Sequence, residues 1–202
     1  MATREEGTTR MQRYRYSPLP LNHIRLLRLL PHKDKNAPIQ GKILACPLPD
    51  DDGEGGCSLY EALSYVWGSP VKPCRIQLDD AELSVTENLH CALGRLRDRW
   101  VERILWIDAI CINQDDVRER NHQVSFMAQV YATASRVLVW LGDCDGSEVG
   151  AQAGLEHLRA IAAAPAPTSP PEMSAAVHAL LSREWFERIW VSISTLASFS
   201  SH

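Results

Sequence analysis

The sequence lacks most of the patterns that announce an activity. No stretch of its 202 residues approaches the ~20 apolar residues that a bilayer-spanning helix needs. There is no GxGxxG and no GxxxxGKS/T segment, so the usual dehydrogenase and ATPase readings lose their best support. Neither HExxH nor GxSxG occurs, which removes the common zinc protease and serine esterase signatures. Positive charge is not in excess: 21 Lys+Arg stand against 25 Asp+Glu, a net charge of −4. Nucleic acid is therefore not an expected partner, because no surplus of cations is available to replace phosphate counterions. The first fifteen residues are polar and carry Arg4, Arg10, Arg13 and Arg15, without the apolar segment of a secretory signal. A soluble cytoplasmic protein is expected.

Six cysteines are present (Cys46, Cys57, Cys74, Cys91, Cys111 and Cys144), but none forms CxxC. Wide spacing without clustered ligands argues against a metal site and predicts free thiols. Composition is otherwise ordinary for a globular chain, at 45% hydrophobic and 23% charged residues. Disordered, collagen-like and coiled-coil classes are excluded.

Residues 1–20 read as a flexible lead-in. Ile24 to Leu30 is an apolar strand or helix stopped by Pro31, and its Leu26, Leu29 and Leu30 form an LxxLL pattern of the kind found in partner-binding helices. Residues 46–57, rich in Pro, Asp and Gly, predict a surface loop. Tyr60 to Trp67, Arg103 to Ile110 and Arg136 to Leu141 are short, nearly continuous apolar runs that predict buried strands. Arg75–Leu78 and Glu82–Val85 around Asp79-Asp80 predict a hairpin. Thr86 caps a predicted helix whose apolar face is Leu89, Ala92, Leu93 and Leu96. Asp116 and Glu119 form a capping-box-like start to another, with Val124, Met127, Val130, Tyr131 and Ala134 on one face. Helices are also predicted through Leu155–Ile161 and Ser174–Leu181, with a Pro/Ala linker at 162–171 between them. Strands alternating with helices predict an α/β fold: a short parallel sheet flanked by helices, with a small hairpin insertion.

In such folds ligands bind beyond the carboxyl ends of the strands. The expected ends carry Ser64, Tyr65, Trp67 and Gly68; then Asp108, Cys111, Asn113 and Gln114; then Trp140 and Gly142. Asp108 stands out as a carboxylate in an apolar run, because a buried carboxylate is costly unless bonded or functional. Asn113 and Gln114 bind ligand or cap the next helix. Cys111 with His122 is a weaker nucleophile–base candidate. Glu119-Arg120 reads as a solvated first turn.

Taken in order, YEALSYVWG (60–68), VTENL (85–89), LWIDAICINQ (105–114), Glu119-Arg120, Gln123, Met127, Tyr131, Ala134 and VWLG (139–142) resemble the fungal heterokaryon incompatibility (HET) domain, over roughly residues 60–190. Trp106, Cys111, Glu119, Arg120, Trp140, Gly142, Arg188 and Trp190 belong to its signature. The resemblance implies a domain at 59–191, after an N-terminal lead-in and loop at 1–58. It implies nonself recognition and programmed cell death signalling, by self-association or recruitment of protein partners. It also implies a likeness to Toll/interleukin-1 receptor (TIR) domains, with their flavodoxin-like architecture. Some TIR domains cleave NAD with a glutamate; on that reading NAD is a substrate, no resident cofactor is expected, Trp67 stacks on the base and Asp108 faces the ribose. The family's Gln-Glu pair after RxW is replaced here by Ile193-Ser194, and residues 192–202 form an atypical tail. The resemblance then leaves enzyme activity open and adds a third reading, a truncated inactive family member.

Overall fold

The computed structural model describes residues 11–49, 55–57, 59–142, 156–157, 159–160 and 175–187. The strands are β1 (Gln12–Arg13), β2 (His23–Leu29), β3 (Gln40–Pro47), β4 (Glu61–Tyr65), β5 (Cys74–Leu78), β6 (Ala81–Val85), β7 (Arg103–Trp106) and β8 (Arg136–Trp140). The helices are α1 (Glu87–Leu96), α2 (Asp108–Cys111), α3 (Val117–Ser125), α4 (Met127–Thr133) and α5 (Ala175–Leu181), followed by a 3-10 turn at Glu184–Glu187.

All eight strands join one sheet in the order β1-β6-β5-β3-β2-β7-β4-β8. Four neighbouring pairs are parallel, and three, made by β2 and by the β5–β6 hairpin, are antiparallel. The α/β expectation holds, and so does the hairpin, whose turn puts Asp79 at φ 53°. Asp tolerates that left-handed conformation better than most residues.

Residues 23–47, which the sequence placed ahead of the domain, supply β2 and β3 in the middle of this sheet. In β2, Ile24, Leu26, Leu27 and Leu29 are all buried, as a central strand covered on both faces requires. The LxxLL leucines therefore belong to a strand and its exit, as the reading of this run as an apolar core element requires. Gly41, paired with Leu29, allows β3 to approach: a Cβ there would lie 2.6 Å from a Leu27 methyl and 3.1 Å from the Arg28 carbonyl oxygen.

Helix α1 forms where expected. Thr86 accepts a hydrogen bond from Leu89 N at 3.3 Å, and Leu89, Ala92 and Leu93 are buried. Two other expectations need correction. The apolar run at 103–110 is not one strand: it leaves the sheet after Trp106, and Asp108–Cys111 makes one helical turn, with Cys111 N bonded to Ile107 O at 2.7 Å. The helix after Asp116 is two helices, tightened at Phe126 by an i→i−3 bond to Gln123 O. Val124 faces outward, and Gln123 takes the inward position by donating to His23 O at 2.9 Å.

The expected free thiols are also corrected in part. Cys46 and Cys57 are joined as a disulfide, with Cα atoms 6.1 Å apart. That spacing suits a disulfide, and only the return of the Pro/Gly-rich loop creates it. Cys74, Cys91 and Cys111 take part in no disulfide. Among the described residues no helix is long and apolar enough to cross a membrane, and no cluster of His, Cys, Asp and Glu is suited to a metal ion. Arg188, Trp190, Cys144, the 162–171 segment and the 192–202 tail lie outside the described residues, as do Leu155, Leu158 and Ile161 of the helix expected at 155–161, whose residues 156–157 and 159–160 are helical.

Candidate functional site

Parallel pairing brings the carboxyl ends of β4, β7 and β8 to one edge. Tyr65 is in register with Trp140, and Ala62 with Trp106. The expected residues do converge there, but they bond to one another. The Trp67 indole N–H donates to Asp108 Oδ2 at 2.9 Å, while Asp108 Oδ1 accepts Ala109 N at 2.7 Å. Trp140 donates its indole N–H to Asn88 Oδ1 at 2.8 Å, and Asn88 Nδ2 donates to Val66 O at 2.6 Å. One amide on α1 thus ties together the loops after β4 and β8. Trp185 donates to Ser64 Oγ at 3.0 Å, and Arg183 donates to Leu141 O at 2.8 Å. Gly68 and Gly142 turn the two loops at φ +70° and +97°, a region that disfavours side chains. Tyr65 is buried.

Beside this rim is a cavity of about 600 Å³, lined by Trp67, Ser69, Val71, Pro73, Thr86, Glu87, Asn88 and Cys91. Its size falls within the range of small-molecule sites. Asp108 is half-buried at the start of a helical turn, not enclosed in a strand.

The 105–120 block has a second role. Gln114 Nε2 donates to Asp108 O at 2.9 Å, and Arg120 donates to Gln114 O at 3.0 Å. Asn113 accepts Asp115 N through its side chain at 3.3 Å, within the turn that precedes α3. Asp116 caps α3 through Arg118 N and Glu119 N at 2.9 and 3.1 Å. Glu119 completes no reciprocal box and is not a solvated first turn. Its carboxylate accepts Asn113 N at 2.8 Å and pairs with Arg25, whose side chain is 3% exposed. Arg25 also donates to Cys111 O at 3.2 Å, Ser17 O at 2.7 Å and Glu119 Oε2 at 3.0 Å. The Tyr16 ring lies 5.0 Å from the guanidinium, and Tyr16 donates its hydroxyl to Ile110 O. Burial, then the nearby Cys111, raises the Tyr16 phenol above its ordinary range.

Cys111 is fully buried. Burial pushes its thiol up to about 12, and the thiolate is the reactive form. His122 is exposed and packs edge-on against Phe126. Trp106 is fully buried and packs edge-on against Tyr131, whose hydroxyl donates to Leu63 O. The Trp106 indole nitrogen is the buried side-chain polar atom without a hydrogen bond among the described residues.

Sequence reasoning did not single out Arg25, Glu61 or Asn88. Glu61, 8% exposed, receives Arg103 Nε at 2.7 Å and also pairs with Arg136. Burial raises its pKa, but hydrogen bonds and charge from the two guanidiniums outweigh that and hold the carboxyl below its ordinary range. The test applied to Asp108, a charge inside an apolar run, applies equally to Arg25 in IRLL and Glu61 in YEALSY.

Residues 60–192 match the family described as "Heterokaryon incompatibility protein (HET)", and the chain belongs to that family. Among curated proteins it is similar to "Heterokaryon incompatibility protein 6, OR allele" of Neurospora crassa. The two are 37% identical over 136 residues, which is 61% of this chain and 19% of that relative. The chain therefore spans about a fifth of the relative it matches. No solved structure matches it.

Proposed function

We propose that the chain acts in fungal nonself recognition and in the programmed cell death that follows, as a cytoplasmic, TIR-like domain that associates with itself or with a protein partner. Family membership and the likeness to an incompatibility protein support the biological role. The observation that carries the mode of action is the tied rim. The indole N–H groups of Trp67, Trp140 and Trp185 are each hydrogen-bonded to a side chain at this edge, Asp108, Asn88 and Ser64 respectively, and the Cys111 thiol is buried. Such a lattice shapes and stiffens a surface, which association requires. Trp185 is buried at this rim, while Phe186 beside it is 40% exposed. Sedimentation of the purified chain over a range of concentrations tests the proposal. A mass that rises with concentration is the expected result. A strict monomer that also captures no fungal protein would remove the association mode.

The cavity beside Trp67 favours a second reading, in which NAD binds there and is cleaved at the nicotinamide–ribose bond. Trp67 would stack on the base, and the Asp108 carboxylate would stabilise oxocarbenium-like charge on the ribose. Nicotinamide release by purified protein, lost in Asp108→Asn, would establish that reading. Asparagine retains an acceptor for the Trp67 N–H but not the charge.

A further inference from the structure

The turn between α1 and β7 sits at the end of the sheet opposite the rim, since β2 and β7 are antiparallel with Leu29 facing Arg103. This turn and the β2–β3 loop form one built tip. Arg97 donates to the carbonyls of Ala37 and Pro38, both at 2.9 Å, and of Lys35 at 2.7 Å. His32 N donates to Asp98 O at 3.0 Å. Asp98 Oδ1 accepts Trp100 N at 2.7 Å and Val101 N at 3.0 Å. The tip thus holds two adjacent apolar side chains outward: Trp100 is 66% exposed and Val101 64%. Single exposed apolar residues are ordinary, but here two are adjacent and cations flank the indole. Lys33 Nζ lies 4.6 Å from the Trp100 ring centroid and Arg99 Cζ lies 5.9 Å from it. The local anions are already engaged. Asp98 caps the turn, Asp34 accepts Asn36 N, and Glu102 pairs with Arg28 at 2.7 Å. Among the described residues no salt bridge engages Lys33, Lys35 or Arg99.

We propose that this tip is a docking site for an anionic lipid surface, with Trp100 and Val101 entering the headgroup region and Lys33, Lys35 and Arg99 meeting lipid phosphates and carboxylates. Indoles favour the bilayer interface, and Lys and Arg stems lie along apolar surface while their charges reach outward. A stable protein interface needs about 800 Å² on each partner. A bilayer requires no complementary groove, so two apolar side chains with a cationic collar suit it better. Cosedimentation of the full chain with vesicles tests this, using one part phosphatidylserine to two parts phosphatidylcholine against phosphatidylcholine alone. Expected is binding to the anionic vesicles only, weakened by salt. Lys33→Ala and Arg99→Ala should each weaken it roughly fivefold, and Trp100→Ala about tenfold. All three replace side chains outside the core, and an unchanged thermal transition would confirm that they fold. Absence of binding to anionic vesicles, or equal binding by Trp100→Ala and the parent chain, would overturn the proposal. So would capture of soluble polyglutamate without capture of vesicles, which would assign the tip to an acidic protein.

Discussion

The two ends of the sheet use tryptophan in opposite ways. At the carboxyl ends of the parallel strands, Trp67, Trp140 and Trp185 each donate an indole N–H to a side chain from a distant part of the chain. At the other end Trp100 makes no side-chain hydrogen bond among the described residues and stands out under two cations. The difference separates aromatic residues that organise a surface from one that is offered to a partner. Polar tips of buried aromatics find acceptors, whereas an exposed indole on a preorganised turn needs another explanation.

The largest expected effect comes from the support beneath the rim. Arg25→Ala leaves Glu119 half-buried without its guanidinium, and breaking a buried pair costs about 3–5 kcal/mol. Denaturant unfolding should show a loss in that range; a loss under 1 kcal/mol would detach the pair from the fold of the 105–120 block. Asn88→Ala should cost about 1–3 kcal/mol, because Val66 O and the Trp140 N–H both lose their partner. A double-mutant cycle with Trp140→Phe should give a clear coupling energy, and additivity would break the lattice interpretation.

Acidification sharpens the contrast further. Glu61 is held below its ordinary carboxylate range, so its contribution is complete above the unfolded value of about 4.3 and is lost as pH falls through the lowered folded value. Unfolding measured from neutral pH downward should show stability falling there, and Glu61→Gln should flatten that part of the profile. The smallest effect is expected at the open end. Trp100→Ala should change stability by no more than about 0.5 kcal/mol, although it removes the centre of the cationic tip.

Much of the sheet was legible because its strands are short apolar runs closed by turn residues. Apolar period and cap chemistry also located α1. Periodicity could not show that Asp108 starts a helical turn, because Asp108 alone interrupts the apolar run from Ile104 to Ile110 and the departure is made by backbone bonds to Ile107. The Cys46–Cys57 pairing depends on where the loop returns, which spacing does not encode. The rim residues were identifiable as a group, since parallel strands must bring their ends together. Their hydrogen bonds were not, because Asn88 meets Trp140, and Ser64 meets Trp185, only through tertiary folding. Arg25 was hidden for the same reason: its partner lies 94 residues away.

The most direct test of an association-based effector is induced expression of the chain and of Asp108→Asn in a fungal host, with viability and cellular NAD followed together. Expected is cell death in both strains with NAD intact. Death accompanied by NAD collapse in the parent strain, with survival and normal NAD in Asp108→Asn, would contradict it and make this chain an enzyme.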